Sequence, residues 1–370
     1  MRCQPDPSSP HSAEGLVNLL ALDEQALVQF VQRLGWPTYR ARQILRWLYQ
    51  KRVRQIELMT DLSKTERAHL ASLATIDRLS LSQVFRSSDG TRKFLLQLKD
   101  GLTVETVVIP DGSRLTLCLS TQVGCTLDCQ FCLTGRMGLK RNLAAHEMLE
   151  QAFAVLDRLE SGERVTNIVL MGMGEPLANF DAVAEAVRRL TNRHWGLGFS
   201  PRRITLSTAG LAARLQDVAT LGINLAVSLN ATTDAQRKRL MPAASRLAPL
   251  GRLVAACRSY PLRPRRHLTI EYVLLGGEND SEEDAKRLAR LLNGLRCKIN
   301  LIPFNPIPGS PFRPPTEQTV LRFQAVLRQA GYPVWIRKSR GRDVLGACGQ
   351  LGPLVGEPSP VSLTPVRPSC

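Results

Sequence analysis

The stretch Leu115-Thr-Leu-Cys118-Leu-Ser-Thr-Gln-Val-Gly124-Cys125-Thr-Leu-Asp-Cys129-Gln-Phe-Cys132 carries an apolar run and then three cysteines within eight residues. Leu115–Leu119 reads as a strand, and the cysteines as the loop that leaves it. Their spacing is C-x3-C-x2-C, with an aromatic residue just before the last. Three thiolates from one turn can hold three irons of a [4Fe–4S] cube and leave the fourth open to a substrate or cofactor. Four protein thiolates would leave no open corner. Structural zinc is the competing reading, since His146 lies at zinc-finger distance from Cys132. Such sites take four ligands, often as Cys or His pairs. No second His follows His146 closely, and the next cysteine is Cys257.

Outward from this loop, strand and helix alternate. Strands are predicted at Leu115–Leu119, Asn167–Leu170, Ile204–Ser207, Asn224–Leu229, Thr269–Leu275 and Asn300–Phe304. About six βα units imply an α/β fold, a parallel sheet with helices outside. Right-handed crossovers would curl it into a partial (β/α)6 barrel. A closed eight-fold barrel needs roughly 250 residues, more than this stretch offers comfortably. Catalytic loops gather at the C-terminal ends of parallel strands, where the cysteine loop sits. The second strand ends in Met171-Gly-Met-Gly174-Glu175-Pro176. Glycines there let backbone approach a ligand, and the carboxylate can accept from an amino group. Ser207 ends the third strand, Ser228, Leu229 and Asn230 the fourth, and Asn305 the sixth. Polar groups thus recur where a ligand would be met.

Before the barrel come two other regions. Residues 15–78 are expected to form a helical accessory domain that binds RNA: Leu20, Leu27, Val28 and Val31 recur at helical spacing, as do Ala41, Ile44, Leu45 and Leu48. Arg40, Arg42, Arg46 and Lys51 fall on other faces of the second helix. Residues 79–110 read as a three-strand meander linking to the core at 111–351, with Ser88-Asp89-Gly90 and Lys99-Asp100-Gly101 as hairpin turns. The Pro-containing residues 1–14 and the Pro- and Ser-rich tail 352–370 are expected to be disordered.

Charge narrows the class of partner. Lys and Arg total 49 against 32 Asp and Glu, a net +17, which favours a polyanion. Basic clusters recur at Arg202–Arg203, Arg237–Arg239, Arg263–Arg266 and Arg337–Arg342. The 5% aromatic content argues against an open base-stacking platform. Nine unevenly spaced cysteines do not resemble a secreted disulfide framework. With no signal-peptide core and no apolar run of spanning length, a cytoplasmic protein without a membrane partner is expected.

Two more cysteines stand out. Cys118 precedes the cluster loop by seven residues, and Cys348 lies in Gly341-Arg342-Asp343-Val-Leu-Gly-Ala347-Cys348-Gly-Gln-Leu351. A lone strand cysteine is most often a small buried apolar residue. The glycines around Cys348 suit an exposed, reactive thiol.

With these motifs in order, the chain resembles the bacterial radical S-adenosylmethionine (SAM) methyltransferases that methylate C2 of adenosine in 23S rRNA and in tRNA. The likeness runs from the helical segment to Leu351. It includes Pro37-Thr-Tyr39-Arg40-Ala41-Arg-Gln43-Ile44, Glu105 in Val-Glu-Thr-Val-Val-Ile-Pro, the cysteine loop, Met-Gly-Met-Gly-Glu-Pro and Ala347-Cys348-Gly-Gln-Leu. Where the family usually has His after Ser-Leu in the fourth strand, this chain has Asn230. The resemblance implies a partial (β/α)6 barrel and one [4Fe–4S] cluster on Cys125, Cys129 and Cys132. It implies SAM, two molecules per turnover, held by Gly174, Glu175, Ser207, Ser228, Leu229, Asn230 and Asn305. It further implies that Cys348 takes a methyl group from one SAM, that a radical derived from a second SAM activates that methyl, and that carbon then joins adenine C2. Glu105 would remove the C2 proton, and Cys118 would attack Cys348 sulfur, releasing RNA and leaving a disulfide. Implied partners are 23S rRNA, tRNA and an electron donor such as flavodoxin or ferredoxin, with the enzyme a monomer. The alternatives are methylation at adenine C8 of the same rRNA and, from another class, a zinc-stabilised RNA-binding protein without catalysis.

Overall fold

The computed structural model describes residues 15–352; the expectations for residues 1–14 and for the tail beyond Gly352 lie outside the described residues. One sheet of ten strands organises the chain. They are β1 (Ser80–Arg86), β2 (Arg92–Gln97), β3 (Thr103–Asp111), β4 (Arg114–Cys118), β5 (Asn167–Leu170), β6 (Ile204–Thr208), β7 (Asn224–Ser228), β8 (Leu268–Leu274), β9 (Cys297–Pro303) and β10 (Val334–Ile336). They lie side by side in chain order, and the two edge strands, β1 and β10, do not pair with each other. From β4 to β10 every neighbouring pair is parallel, with helices in the connections, which makes a partial (β/α)6 barrel. The closing strand β10 is three residues long, too short for a periodic signal. The meander read as a linker is instead three strands of this same sheet, since β3 pairs antiparallel with β4.

A parallel strand buried on both faces reads as a continuous apolar run. These strands alternate instead. On the outer face Ile168 pairs with Ile204, Leu206 with Leu225, Val227 with Ile270, and Tyr272 with Leu301. All are buried beneath helices such as Phe180–Thr191, Glu282–Leu291 and Glu317–Gln329. Each such side chain contributes about 1.5–3 kcal/mol by leaving water. The inner face carries Cys118, Thr205, Ser207, Asn224, Ser228, Thr269, Glu271 and Asn300 in matching register. The barrel therefore has a dry outside and a polar lumen.

The N-terminal region holds α1 (Glu24–Arg33), α2 (Tyr39–Tyr49) and α3 (Lys64–Leu73). Asp23 caps α1 by accepting from the Ala26 amide at 2.7 Å. Ser63 and Glu66 close a reciprocal capping box on α3. Leu27, Val31, Ala41, Ile44, Leu45, Leu48 and Leu70 are buried, as is Leu20 in the turn before α1. The region is seated on the barrel: the Tyr49 ring meets Phe153 and Trp195 at centroid distances of 5.7 and 5.1 Å. Buried Arg189, paired to Glu185, donates to the Leu20 carbonyl at 2.8 Å and the Tyr49 hydroxyl at 3.0 Å. Among the described residues no helix is long and apolar enough to cross a membrane.

Candidate active site

The cysteine loop leaves β4 at the C-terminal end of the sheet, and a two-residue ladder, Gln122–Val123 against Arg141–Asn142, pins its base. Gly124 stands at φ 77°, and a Cβ there would sit 1.9 Å from the Gly138 carbonyl oxygen, so only glycine fits the crossing. Within the loop, the Cys132 amide donates to the Cys129 carbonyl at 3.1 Å, and the Leu127 amide to Cys125 Sγ at 3.3 Å. From outside, the Gln130 amide donates to the Leu240 carbonyl (2.9 Å) and Asp128 accepts from the Ala243 amide (2.7 Å). Leu127, Phe131, Leu133, Leu240, Met241, Phe304 and Ile307 form a second apolar core around it, apart from the main one. This dryness pushes the Cys125 thiol up to about 12 and Cys129 well above its ordinary value, and each also feels the charge of its cysteine neighbours.

Cys348 stands beside this loop. The Gly349 carbonyl accepts from the Leu133 amide at 2.7 Å, and the Cys348 carbonyl from Asn305 Nδ2 at 3.1 Å. Its side chain is open to solvent, yet enough protein surrounds it to raise its thiol pKa. Cys118, on the inner face at the end of β4, is buried and its thiol is pushed up to about 12, first by burial and then by the charge of Cys348. Two residues from distant parts of the chain are thus electrostatic neighbours in the lumen. Both are free thiols here.

Glu105 comes from β3, on the same face as Cys118 through the Val107–Cys118 pair. One carboxylate oxygen pairs with Lys93 Nζ at 2.9 Å and the other accepts from the Gly352 amide at 2.8 Å. Burial holds its pKa above the ordinary carboxylate range, against the pull of Lys93. Lys93 is itself 1% exposed and lies over the Phe85 ring at 4.9 Å.

The remaining expected contacts divide. Gly174 has φ 102°, and a Cβ there would sit 2.6 Å from Gln122 Cβ. Glu175 is buried, accepts from the Leu177 and Ala209 amides at 3.0 and 2.8 Å, and has its pKa raised by burial. Ser207 and Ser228 meet across β6 and β7, Oγ to Oγ 3.2 Å. Asn305 Oδ1 is buried without a partner, an acceptor awaiting a donor. Asn230 differs: at φ 56° it turns its side chain into the protein, where Oδ1 accepts from the Val273 amide at 2.8 Å and Nδ2 faces Met241 Sδ. The Leu229 amide and carbonyl are likewise taken, by Glu271 and Arg237. The serines thus bond only each other and Asn305 Oδ1 is left without a partner, whereas Leu229 and Asn230 are tied into the frame.

The profile of the ribosomal RNA large subunit methyltransferase N-terminal domain matches residues 17–76, and that of the radical SAM superfamily residues 119–289. A dual-specificity RNA methyltransferase RlmN of Syntrophus aciditrophicus is 47% identical over 336 residues, 90% of this chain and 96% of that protein. The chain belongs to the RlmN family. The Syntrophobacter fumaroxidans RlmN is 49% identical over 88% of this chain and 95% of its own. The crystal structure of a radical SAM methyltransferase from Sphaerobacter thermophilus superposes with TM-score 0.85 and 44% identity, covering 90% of this chain and 98% of that one. This is a SAM-dependent methyltransferase family, so the reading as a non-catalytic zinc module is overturned.

Radical SAM proteins carry a [4Fe–4S] cluster and SAM as their general cofactors. The donor set here fits. Three part-buried thiols lie close enough for Cys129 to feel the other two, yet among the described residues no His, Cys, Asp and Glu side chains converge as a single ion requires. Zinc bonds of about 2.0–2.3 Å demand such convergence; a cube holds its thiolates farther apart. His146 stands aside, since its charged neighbours are Glu147, Arg189, Asp77 and Arg141, and burial depresses it to about 4.

In this RlmN family member, sequence reasoning missed Lys93 and Glu271, and read Arg237 only as part of a basic cluster. Glu271, on the inner face of β8, accepts from Asn300 Nδ2 at 2.9 Å, and burial raises its pKa against the influence of Arg337. An acid within an apolar strand was the available signal. The basic clusters also sort differently in space. Arg202–Arg203 and Arg263–Arg266 precede β6 and β8, at the end of the sheet opposite the cysteines. Arg237 is fully buried. Arg337–Arg342 follow β10 and lead straight to Cys348.

Proposed function

We propose that this chain methylates C2 of adenosine in 23S rRNA, in the peptidyl-transferase region, and in tRNA, 3′ of the anticodon, with two SAM molecules per turnover. What carries the reading is the likeness to RlmN methyltransferases over 90% of the chain; the seating of the Cys348 segment against the cysteine loop, where the Gly349 carbonyl accepts from the Leu133 amide, supports it. Adenine C2 is electron-poor and its C–H is not acidic, so direct attack on a sulfonium methyl lacks a nucleophile. Cys125, Cys129 and Cys132 would hold one [4Fe–4S] cluster, which when bound supplies the electron for radical cleavage of SAM.

The protein's own groups do the rest. Cys348, a soft nucleophile once deprotonated, takes the methyl as a thioether. Its exposure lets a base reach it. Glu105 accepts the C2 proton; its raised pKa suits a base working near neutral pH. Cys118 then forms an S–S bond with Cys348 as the carbon–sulfur bond to RNA breaks, which needs Cα atoms within about 7 Å. Gly174, Ser207, Ser228 and the unpartnered Asn305 Oδ1 would bind SAM, with Glu175, held by the Leu177 and Ala209 amides, accepting through its remaining lone pairs. The helical region 15–78, with exposed Arg42, Arg46 and Lys51, would meet RNA phosphates. The enzyme is expected to be a cytoplasmic monomer that draws electrons from a flavodoxin or ferredoxin.

The test is an anaerobic reaction of the iron-loaded protein with 23S rRNA and tRNA transcripts, followed by nucleoside mass spectrometry. 2-Methyladenosine in both supports the proposal; 8-methyladenosine would move it to the sister activity, and no product would refute it.

A further inference from the structure

Arg237 is a large side chain with no solvent exposure at all. Nη1 donates to the Leu229 carbonyl at 3.1 Å, Nη2 to the Ala209 carbonyl at 2.6 Å and Nε to the Ala248 carbonyl at 3.3 Å. Among the described residues no carboxylate pairs with it; Asp234, its nearest acid in sequence, instead accepts from the Leu250 amide at 2.8 Å. Gly210 makes room for it, because a Cβ there would lie 2.4 Å from Nη2. Carbonyl dipoles satisfy the donors of a guanidinium but do not neutralise its charge, and a buried charge left uncompensated is strongly unfavourable. Ala209, whose carbonyl holds Nη2, packs in the same small apolar cluster as Cys125 and Cys129, and the cysteine loop is tied to the end of Arg237's own helix by the Gln130 amide donating to the Leu240 carbonyl at 2.9 Å; the charges that reach Arg237 are those of Cys129 first and Asp234 second.

Three thiolates outweigh the positive charge of an oxidised [4Fe–4S] core, and one-electron reduction makes the site more negative still. Resting on the cluster reading above, we infer that Arg237 is the buried countercharge of the cluster: a positioning residue, fixed by two strand-end carbonyls and one helix-end carbonyl, that favours the reduced state. The Ala209 peptide links it to the rest of the site, giving its carbonyl to Arg237 and its amide to Glu175. The same residue therefore holds the ends of β6 and β7 together and supplies the local positive charge. A neutral donor such as glutamine could do the first task but not the second.

The experiment is an anaerobic redox titration of the reconstituted holoenzyme with dithionite as electron source, the reduced cluster being counted by electron paramagnetic resonance. In Arg237→Met the reduced-to-oxidised ratio at fixed potential should fall about tenfold, which for one electron is a downward shift of about 59 mV. Arg237→Lys, which keeps the charge, should recover most of that shift. An iron-loaded Arg237→Met with the wild-type potential overturns the inference alone. Wild-type protein that binds no iron overturns the cluster reading and this inference with it. If the neutral variant fails to fold, Gly210→Ala decides: its methyl displaces the guanidinium, and a potential equal to wild type refutes the assignment.

Discussion

The loop from Cys125 to Cys132 gathers three part-buried thiols, two of them against a small apolar core of its own, whereas Cys118 and Glu105 lie buried on the inner face of the main sheet and the exposed Cys348 comes from the segment after β10. In the first region local chain geometry does most of the work. Gly124 and Gly135 allow close crossings, and a two-residue ladder closes the loop. In the second, groups from β3, β4 and the segment after β10 are brought together by strand order and by bonds such as Asn305 to the Cys348 carbonyl. The cysteine nest is local and needs only its own loop to gather its thiols, whereas the lumen is built by the whole sheet, which brings groups from distant strands to one face. The contrast predicts that damage in the nest removes the cofactor, while damage in the lumen leaves it and stops the chemistry.

The largest effect should come from the nest. Cys125→Ala is expected to abolish both bound iron and methylation, checked by iron and sulfide analysis beside nucleoside mass spectrometry; full iron content would break the comparison. Next, Cys348→Ala should abolish product with iron unchanged, and Cys118→Ala should trap RNA as a covalent adduct that migrates slowly on a denaturing gel. An adduct-free Cys118→Ala preparation would remove that residue from the lumen's chemistry.

A smaller effect concerns the buried pair Lys93–Glu105. Lys93→Met strands a buried carboxylate and should cost about 3–5 kcal/mol in denaturant unfolding. The sign of its pH dependence follows from the raised pKa of Glu105. A carboxyl whose folded pKa lies above its unfolded one stabilises fully below the unfolded value, and that stability is lost as pH rises through the folded value. Lys93→Met should widen this loss toward neutral pH, and adding Glu105→Gln should cancel it. A flat profile in Lys93→Met would show that the pair is not buried as described. Smallest of all, Tyr49→Phe removes the hydroxyl that accepts from Arg189 and should cost about 0.5–1.5 kcal/mol without touching iron content.

Much of the fold was legible because its strands are separated by strong periodic helices and end in recognisable polar groups. Six parallel strands were anticipated within a few residues of where they lie. The seventh, Val334–Ile336, was not, because its extent is set by pairing with β9 and not by any pattern of its own. Asn230 stands after Ser228 as the sequence pattern has it, but only the structure shows its left-handed backbone and its Oδ1 accepting from the Val273 amide. Arg237 looked like one of three surface cations in Arg237–Arg239, yet its helix turns it wholly inward.

By itself the amino-acid order determined the cysteine nest, since ligands a few residues apart need only a short loop to converge. It also determined the alternation of strand and helix, because apolar periodicity is a local property. Only the tertiary structure decided that Lys93 pairs with Glu105, that the charge of Cys348 is felt at Cys118, and that Arg237 is buried at the ends of β6 and β7. Those partners are distant along the chain, and which of them meet depends on strand order, register and side-chain burial, none of which is written in any single stretch.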